Sequence, residues 1–255
     1  MDSGTNNMDL KILYEDSDVL VVDKPAGIVV FNETTSDQQQ ATREKTLIDL
    51  LLEKYPDLKN AAEAPRYGVV HRLDKDTSGI LLVAKSTEGL IFLQKQFKNR
   101  EVEKKYTALA TGAVKEDKGV IHTLIGRGKS DPRKQAAHSL EYKGKTGLRE
   151  AITEYKVLQR FCLKPDVKQE CYTLLEVNIK TGRKHQIRCH LSYIHHPIAG
   201  DKMYGFKDSP VPKGLERQFL HSSYLKIKLP DGKTQEFKSY LPEELKNILN
   251  KLTKA

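Results

Sequence analysis

The sequence predicts an α+β fold, and three observations carry that prediction. Segments of strand length rich in Val, Ile and Leu outnumber segments with helical periodicity. The two kinds do not alternate strictly, as a doubly wound parallel sheet would require. No internal repeat runs through the 255 residues. A chain of this length can bury a sizeable core as one large domain, and a single domain over residues 10–255 is expected behind a flexible stretch at residues 1–9.

The elements follow in order. LKILYEDSDVLVVDKPAGIVVF, residues 10–31, reads as two or three short strands broken at Asp16 to Asp18 and at Lys24 to Gly27. NETTSDQQQATREK, residues 32–45, is polar and aperiodic and is expected to be a mobile loop before the amphipathic helix TLIDLLLEKY. GILLVAK, residues 79–85, is a continuous apolar run of strand length, and STEGLIFLQKQFKNR after it places Leu90, Leu93 and Phe97 on one helical face. EKKYTALATG and GVIHTLI are expected strands, and ITEYKVLQRF and CYTLLEVNIK are spaced like an antiparallel pair. TGRKHQIRCHLSYIHHP changes period, with Ile187, Leu191 and Ile194 at helical spacing and Pro197 ending the helix. Two more strands follow, and PEELKNILNKL closes the chain as an amphipathic helix.

Charge narrows the partners. Lys and Arg number 43 against 34 Asp and Glu, a formal net charge of +9 that favours polyanions, nucleic acid first among them. Excess lysine can equally be a solvated surface, so position must decide. The stretch GRGKSDPRKQAAHSLEYKGKTGLR, residues 126–149, carries seven basic residues, Lys129, Arg133 and Lys134 among them, against two acids. A long glycine-bearing basic loop suits phosphates, and a second basic cluster beside it would separate that reading from a solvated hairpin. Cys162, Cys171 and Cys189 form no CxxC pair and no even-numbered disulfide framework, which fits core packing or a reducing compartment. Neither a signal peptide nor an apolar run of membrane-spanning length is visible, so a soluble, cytoplasmic protein is expected.

HRLDKDTSG, residues 71–79, concentrates the chemistry. Asp74, Asp76, Ser78 and Gly79 match the start of a calcium loop, but the twelfth position, where a bidentate glutamate belongs, is Lys85. A phosphatase could use Asp74 as nucleophile and Asp76 as acid. It would also need a downstream acidic magnesium site, and GDKMYG supplies only Asp201. The histidines His185, His190, His195 and His196 share their segment with Arg188 and lack a matched cysteine or carboxylate set, so packing or RNA contact is expected of them in place of zinc.

Several long blocks together resemble the pseudouridine synthases of the RluA type. YEDSDVLVVDKPAGIVV resembles that family's first block, and GVVHRLDKDTSGILLVAKS the block with the catalytic aspartate. EKKYTALATG resembles the segment with the active-site tyrosine, and LLEVNIKTGRKHQIRCHLSYIHHPIAGDKMYG the last block, with FLHSSYLKIKLP extending the likeness. The resemblance implies a mixed, mainly antiparallel sheet in two connected halves flanked by helices, with a central RNA-binding cleft. It implies a reaction in which uracil is detached from ribose, rotated and rejoined through carbon 5, with no cofactor and no metal.

By motif position the reacting carboxylate is Asp74, which can attack the sugar or base or remove a sugar proton. Tyr106 matches the tyrosine that stacks on the extruded uracil, and Arg72 the arginine that fills the place the base vacates. Arg188 matches the basic partner that keeps the aspartate ionised, with Ile187 beside it as an apolar wall. Lys129, Arg133 and Lys134 are the expected phosphate contacts.

Many relatives carry a small RNA-binding domain ahead of the catalytic one. Here the first block begins near Leu10, and no such domain is expected. A structured RNA, ribosomal or transfer, is the expected partner of a monomer. A noncatalytic RNA-binding protein that retains the fold is the alternative, against which Asp74, Tyr106 and Arg188 all stand intact.

Overall fold

The computed structural model describes residues 10–32, 44–144, 146–162 and 171–254. The flexible stretch expected at residues 1–9, most of the loop expected at 32–45, and Lys145 of the basic segment lie outside the described residues. The chain divides into two compact units, residues 1–95 with 229–233 and residues 96–228 with 234–255.

In the first unit β1 (Lys11–Glu15), β2 (Val19–Lys24) and β3 (Ser78–Ala84) form an antiparallel meander in the order β1-β2-β3. All seven residues of β3 are buried, as its uninterrupted apolar run requires of a strand covered on both faces. α1 (Leu47–Lys54) starts at a capping box in which Thr46 accepts from the Asp49 N–H and the Asp49 carboxylate accepts from the Thr46 N–H. α2 (Thr87–Asn99) follows β3, with Leu90 and Leu93 buried as their spacing predicts.

The third strand allowed for at Ile28–Phe31 does not form. Its carbonyls are committed elsewhere: Val29 and Val30 accept from the Leu47 and Ile48 N–H groups at 2.8 and 3.1 Å, and Ile28 accepts from the Lys24 ammonium. A segment whose acceptors cap a helix and solvate a buried cation has none left for a ladder.

The second unit holds β4 (Glu103–Thr111), β5 (Lys118–Arg127), β6 (Gln135–His138), β7 (Arg149–Cys162), β8 (Cys171–Ile179), β9 (Leu220–Lys228) and β10 (Thr234–Lys238), in the order β10-β9-β4-β8-β7-β5-β6. The pairings within it are antiparallel. The pair expected of β7 and β8 is present, with Thr153 opposite Ile179 and Cys162 opposite Cys171. That register brings the two cysteine Cα atoms to 4.1 Å, and the pair is bridged. The unpaired reading of the cysteines is thereby corrected for two of them, while Cys189 is free and buried. Spacing along the chain could not show this, because cross-strand register creates the contact.

α3 (Gln186–Tyr193) lies between β8 and β9 in the chain, and α4 (Glu243–Asn250) closes it. One face of β5 and β7, with Thr123, Ile125, Ala151 and Thr153, is buried, and α3 covers it through Cys189 and His190. The basic segment 126–149 is not one loop. Gln135–His138 forms β6 against Leu124–Arg127 of β5, so the segment is a hairpin followed by a connection.

Candidate active site

HRLDKDTSG is a turn set against a buried strand. The Thr77 N–H donates to the Asp74 carbonyl at 3.1 Å, closing a β-turn over Lys75 and Asp76. Gly79, the second residue of β3, has φ 111°, a backbone conformation open to glycine and strained for other residues. Thr77 and Ser78 are buried, whereas Asp74 is half-buried at the head of the turn. Ahead of it the His71 Nε2 accepts from the Leu82 N–H at 3.1 Å, tying the segment to β3.

The residue that fixes this turn is one the sequence reading left without a role. Lys24 is fully buried at the end of β2, and its Nζ donates to the carbonyls of Pro25, Ile28 and Lys75 at 2.8, 2.9 and 3.0 Å. The Gly27 N–H donates to the same Lys75 carbonyl at 3.0 Å. A buried ammonium has three protons to satisfy, and three carbonyls converge on it. One side chain thus ties the KPAG bend of the first block to the residue next to Asp74. A lysine ending an apolar strand, followed by a turn, was the available signal.

Arg72 is exposed, with its guanidinium 5.3 Å from the centre of the Phe31 ring, and Arg66 approaches the same ring at 5.0 Å. Phe31, itself buried, therefore carries two cations close to Asp74 in sequence.

In the second unit Tyr106 lies within β4, 6 % exposed, opposite Val177 of β8 and Ser222 of β9, at the point where the β4–β9 register shifts. Ile187 and Arg188 are buried on α3. The Arg188 guanidinium grips Asp201 with two bonds, Nε to Oδ2 at 2.7 Å and Nη2 to Oδ1 at 2.9 Å, and lies 5.0 Å from the centre of the Tyr204 ring. Asp201 also accepts from the Met203 and Tyr204 N–H groups, each at 2.9 Å. Burial pushes the Asp201 pKa up, but the hydrogen bond and charge of Arg188 and the two backbone donors outweigh it and hold the carboxyl below its ordinary range. The preceding Gly200 has φ 75°, and a Cβ there would meet the Arg217 carbonyl, so this close approach to the Arg217 backbone requires glycine.

These bonds bear on Asp201 as the nearest candidate for the magnesium site that a phosphatase would need. Both of its oxygens are committed to a guanidinium and backbone donors, which does not favour the phosphatase reading. Among the described residues no group of three or more His, Cys, Asp or Glu side chains could hold a metal ion.

α3 is positioned by polar groups as well as by packing. Gln186 donates to the Ile152 carbonyl and the Thr153 hydroxyl and accepts from the Thr181 hydroxyl and the Arg183 N–H. His190 bridges the Thr123 and Thr153 hydroxyls at 2.9 and 2.8 Å, and burial pushes its pKa down to about 4, so it packs as a neutral ring. His185 enters the helix at φ 55° and its Nδ1 meets the Tyr204 hydroxyl at 3.0 Å, while the Gln135 N–H donates to that hydroxyl at 2.7 Å. Tyr204 thus joins β6, α3 and the turn that carries Asp201.

Of the expected phosphate contacts, Lys129 and Arg133 are exposed and Lys134 is half-buried. Arg133 is bound through Nε and Nη2 to Asp131 at 3.0 and 2.9 Å, which offsets its charge locally.

Comparisons with known proteins identify the family of the chain. An uncharacterized RNA pseudouridine synthase of Aquifex aeolicus is 39 % identical over 254 residues, spanning 97 % of this chain and 74 % of that one. Ribosomal large subunit pseudouridine synthase D of Pseudomonas aeruginosa is 36 % identical over 257 residues, spanning 96 % and 72 %. The structure of human RNA pseudouridylate synthase domain containing 1 superposes with a TM-score of 0.74 at 25 % identity, covering all of this chain and 92 % of that one. The family model for RNA pseudouridylate synthase matches residues 18–193, which include Lys24, the Asp74 turn, Tyr106 and Arg188, and the chain therefore belongs to the RNA pseudouridylate synthase family.

Proposed function

We propose that this protein isomerises uridine in ribosomal RNA to pseudouridine, with Asp74 as the reacting carboxylate. The observation that carries the reading is the clamped turn. Asp74 sits half-buried at its head, and the Lys24 ammonium and the Gly27 N–H both hold the carbonyl of the next residue. A carboxylate that must meet one sugar carbon or one base carbon gains from such pre-positioning. Ribosomal RNA enters from the printed names of relatives such as the Pseudomonas aeruginosa protein.

The remaining roles belong to the same proposal. Tyr106 stacks on the extruded uracil, Arg72 takes the place that the base leaves in the RNA, and Ile187 lends an apolar wall. Arg188 supplies the permanent cation that the resemblance assigns as basic partner to the reacting carboxylate. Lys129 and Lys134, with a smaller share from Arg133, meet phosphates. The protein acts as a monomer in the cytoplasm, and neither a metal nor an organic cofactor takes part.

Mapping pseudouridine in ribosomal RNA from cells that carry the wild-type gene, no gene or an Asp74→Asn gene tests the reading. At least one uridine should be modified in the wild type alone, while purified Asp74→Asn protein keeps its RNA affinity within about an order of magnitude, because phosphate contacts dominate binding. Identical maps in all three strains would refute the proposal.

A further inference from the structure

Arg100, Arg149 and Arg183, from three separate segments, gather around Glu150 in the second unit. Arg100 follows α2, Arg149 begins β7 and Arg183 precedes α3. Glu150 bonds Arg100 Nη2 at 3.0 Å through one oxygen and His122 Nε2 at 3.1 Å through the other, and Arg183 Nε donates to the Glu150 carbonyl at 2.9 Å. His122 reaches it from β5, where Leu124, two residues along on the same face, is opposite Glu150. Arg149 is exposed and makes no ion pair among the described residues. The Glu150 carboxylate pairs with His122 and with one of three neighbouring guanidiniums, and positive charge is in surplus. Burial first, then the charges of Arg149 and Arg100, push the Arg183 pKa down, so the guanidiniums are close enough to repel one another.

The backbone adds a second sign. Arg100 has φ 62° just after α2, a left-handed position that glycine or asparagine occupies at lower cost. A long cationic side chain stands where a small residue would relieve strain.

We infer that Arg100, Arg149 and Arg183 form a subsite for a phosphodiester of the substrate RNA, an inference that rests on the reading of the chain as an enzyme of ribosomal RNA. A phosphate supplies what the cluster lacks, a second anion. Guanidiniums bind it through paired N–H groups, and Arg100 can exchange Glu150 for it within the same surface. The cluster includes Arg149 of the basic segment and extends it with residues distant in sequence.

The test measures binding of a fluorescein-labelled stem-loop RNA with uridines in its loop, between 50 and 200 mM salt. Wild type, Arg100→Gly, Arg149→Gln, the double variant, Arg183→Lys and a Lys129→Gln comparator are measured, with circular dichroism to verify folding. Arg100→Gly removes the cation and relieves the backbone, and Arg149 is exposed, so the double variant is expected to keep its fold. Each lost phosphate contact lowers the log–log salt slope by about 0.7–0.9, so the affinity drop across this range should shrink about threefold per arginine. At 50 mM salt the double variant should bind at least about tenfold more weakly than wild type. Arg183→Lys, which keeps the charge and loses the fork, should fall between wild type and the double variant.

A folded double variant with the wild-type slope and affinity would overturn the subsite while leaving the enzyme intact. An unfolded double variant would show that Arg100 and Arg149 serve stability, and would also overturn it. If wild-type protein neither bound the RNA nor left any pseudouridine in ribosomal RNA, the parent reading would fail first, and the subsite with it.

Discussion

Replacing Lys24 by Met tests whether the clamp on the Asp74 turn is needed for chemistry as well as for folding. Methionine keeps most of the buried stem and removes the ammonium that donates to the Pro25, Ile28 and Lys75 carbonyls. All three carbonyls lose this donor, and that of Lys75 keeps the Gly27 N–H as a backbone partner. A buried acceptor stripped of its donor costs about 1–3 kcal/mol, and relief from burying a charge offsets part of the total, leaving a net loss of about 3 kcal/mol. For a chain of this size that lowers the melting temperature by roughly 6–12 °C.

The larger effect is expected in catalysis. A turn that loses this tie can shift by about 1 Å, and misplacement of that size costs about a hundredfold in rate. Single-turnover isomerisation with saturating enzyme, well below the melting point of the variant, separates the two consequences, since neither weak RNA binding nor unfolding then limits the rate. Wild-type single-turnover rates in a variant that melts early would make Lys24 a stability residue only. Wild-type values of both rate and melting temperature would refute the clamp itself.

Two further outcomes follow from the second unit. The Asp201 pKa is depressed on folding, so its contribution to stability is fully present above its unfolded value near 3.9 and is lost as pH falls through the folded value. Asp201→Asn should therefore cost about 3–5 kcal/mol at neutral pH by breaking a buried ion pair, and the gap from wild type in urea denaturation should narrow below about pH 4. A gap independent of pH would show that Asp201 is not the ionised partner of Arg188. Tyr106→Phe should keep β4 packed and lower the single-turnover rate through proton handling. Tyr106→Ala should lose about 3–5 kcal/mol of stability as well as the stacking platform, and equal activity in the two variants would remove Tyr106 from the site.

What could be read along the chain was local. The apolar run of β3 announced a strand buried throughout, Leu90 and Leu93 announced the inner face of α2, and TGRKHQIR announced the change of period that opens α3. Each rests on the repeat of a single element, 2 or 3.6 residues, which neighbours in sequence express without reference to the rest of the molecule. Asp74, Tyr106 and Arg188 were legible for a different reason, because each stands in a long block that resembles a known family, and blocks are contiguous.

The fold alone decided which groups meet across the chain. Lys24 is an ordinary strand-ending lysine until the turn 51 residues later brings it the Lys75 carbonyl. Asp201 is a lone carboxylate in GDKMYG until α3 lays Arg188 across it. Ile28–Phe31 reads as a strand by composition, yet its carbonyls serve Lys24 and the start of α1. Gln135–His138 reads as loop until β5 offers it a partner. Cys162 meets Cys171, and Arg100 and Arg183 gather around Glu150, only through strand register and the packing of distant segments. Hydrogen bonds and ion pairs are short-ranged in space and indifferent to separation along the chain, so periodicity within one element carries no record of them.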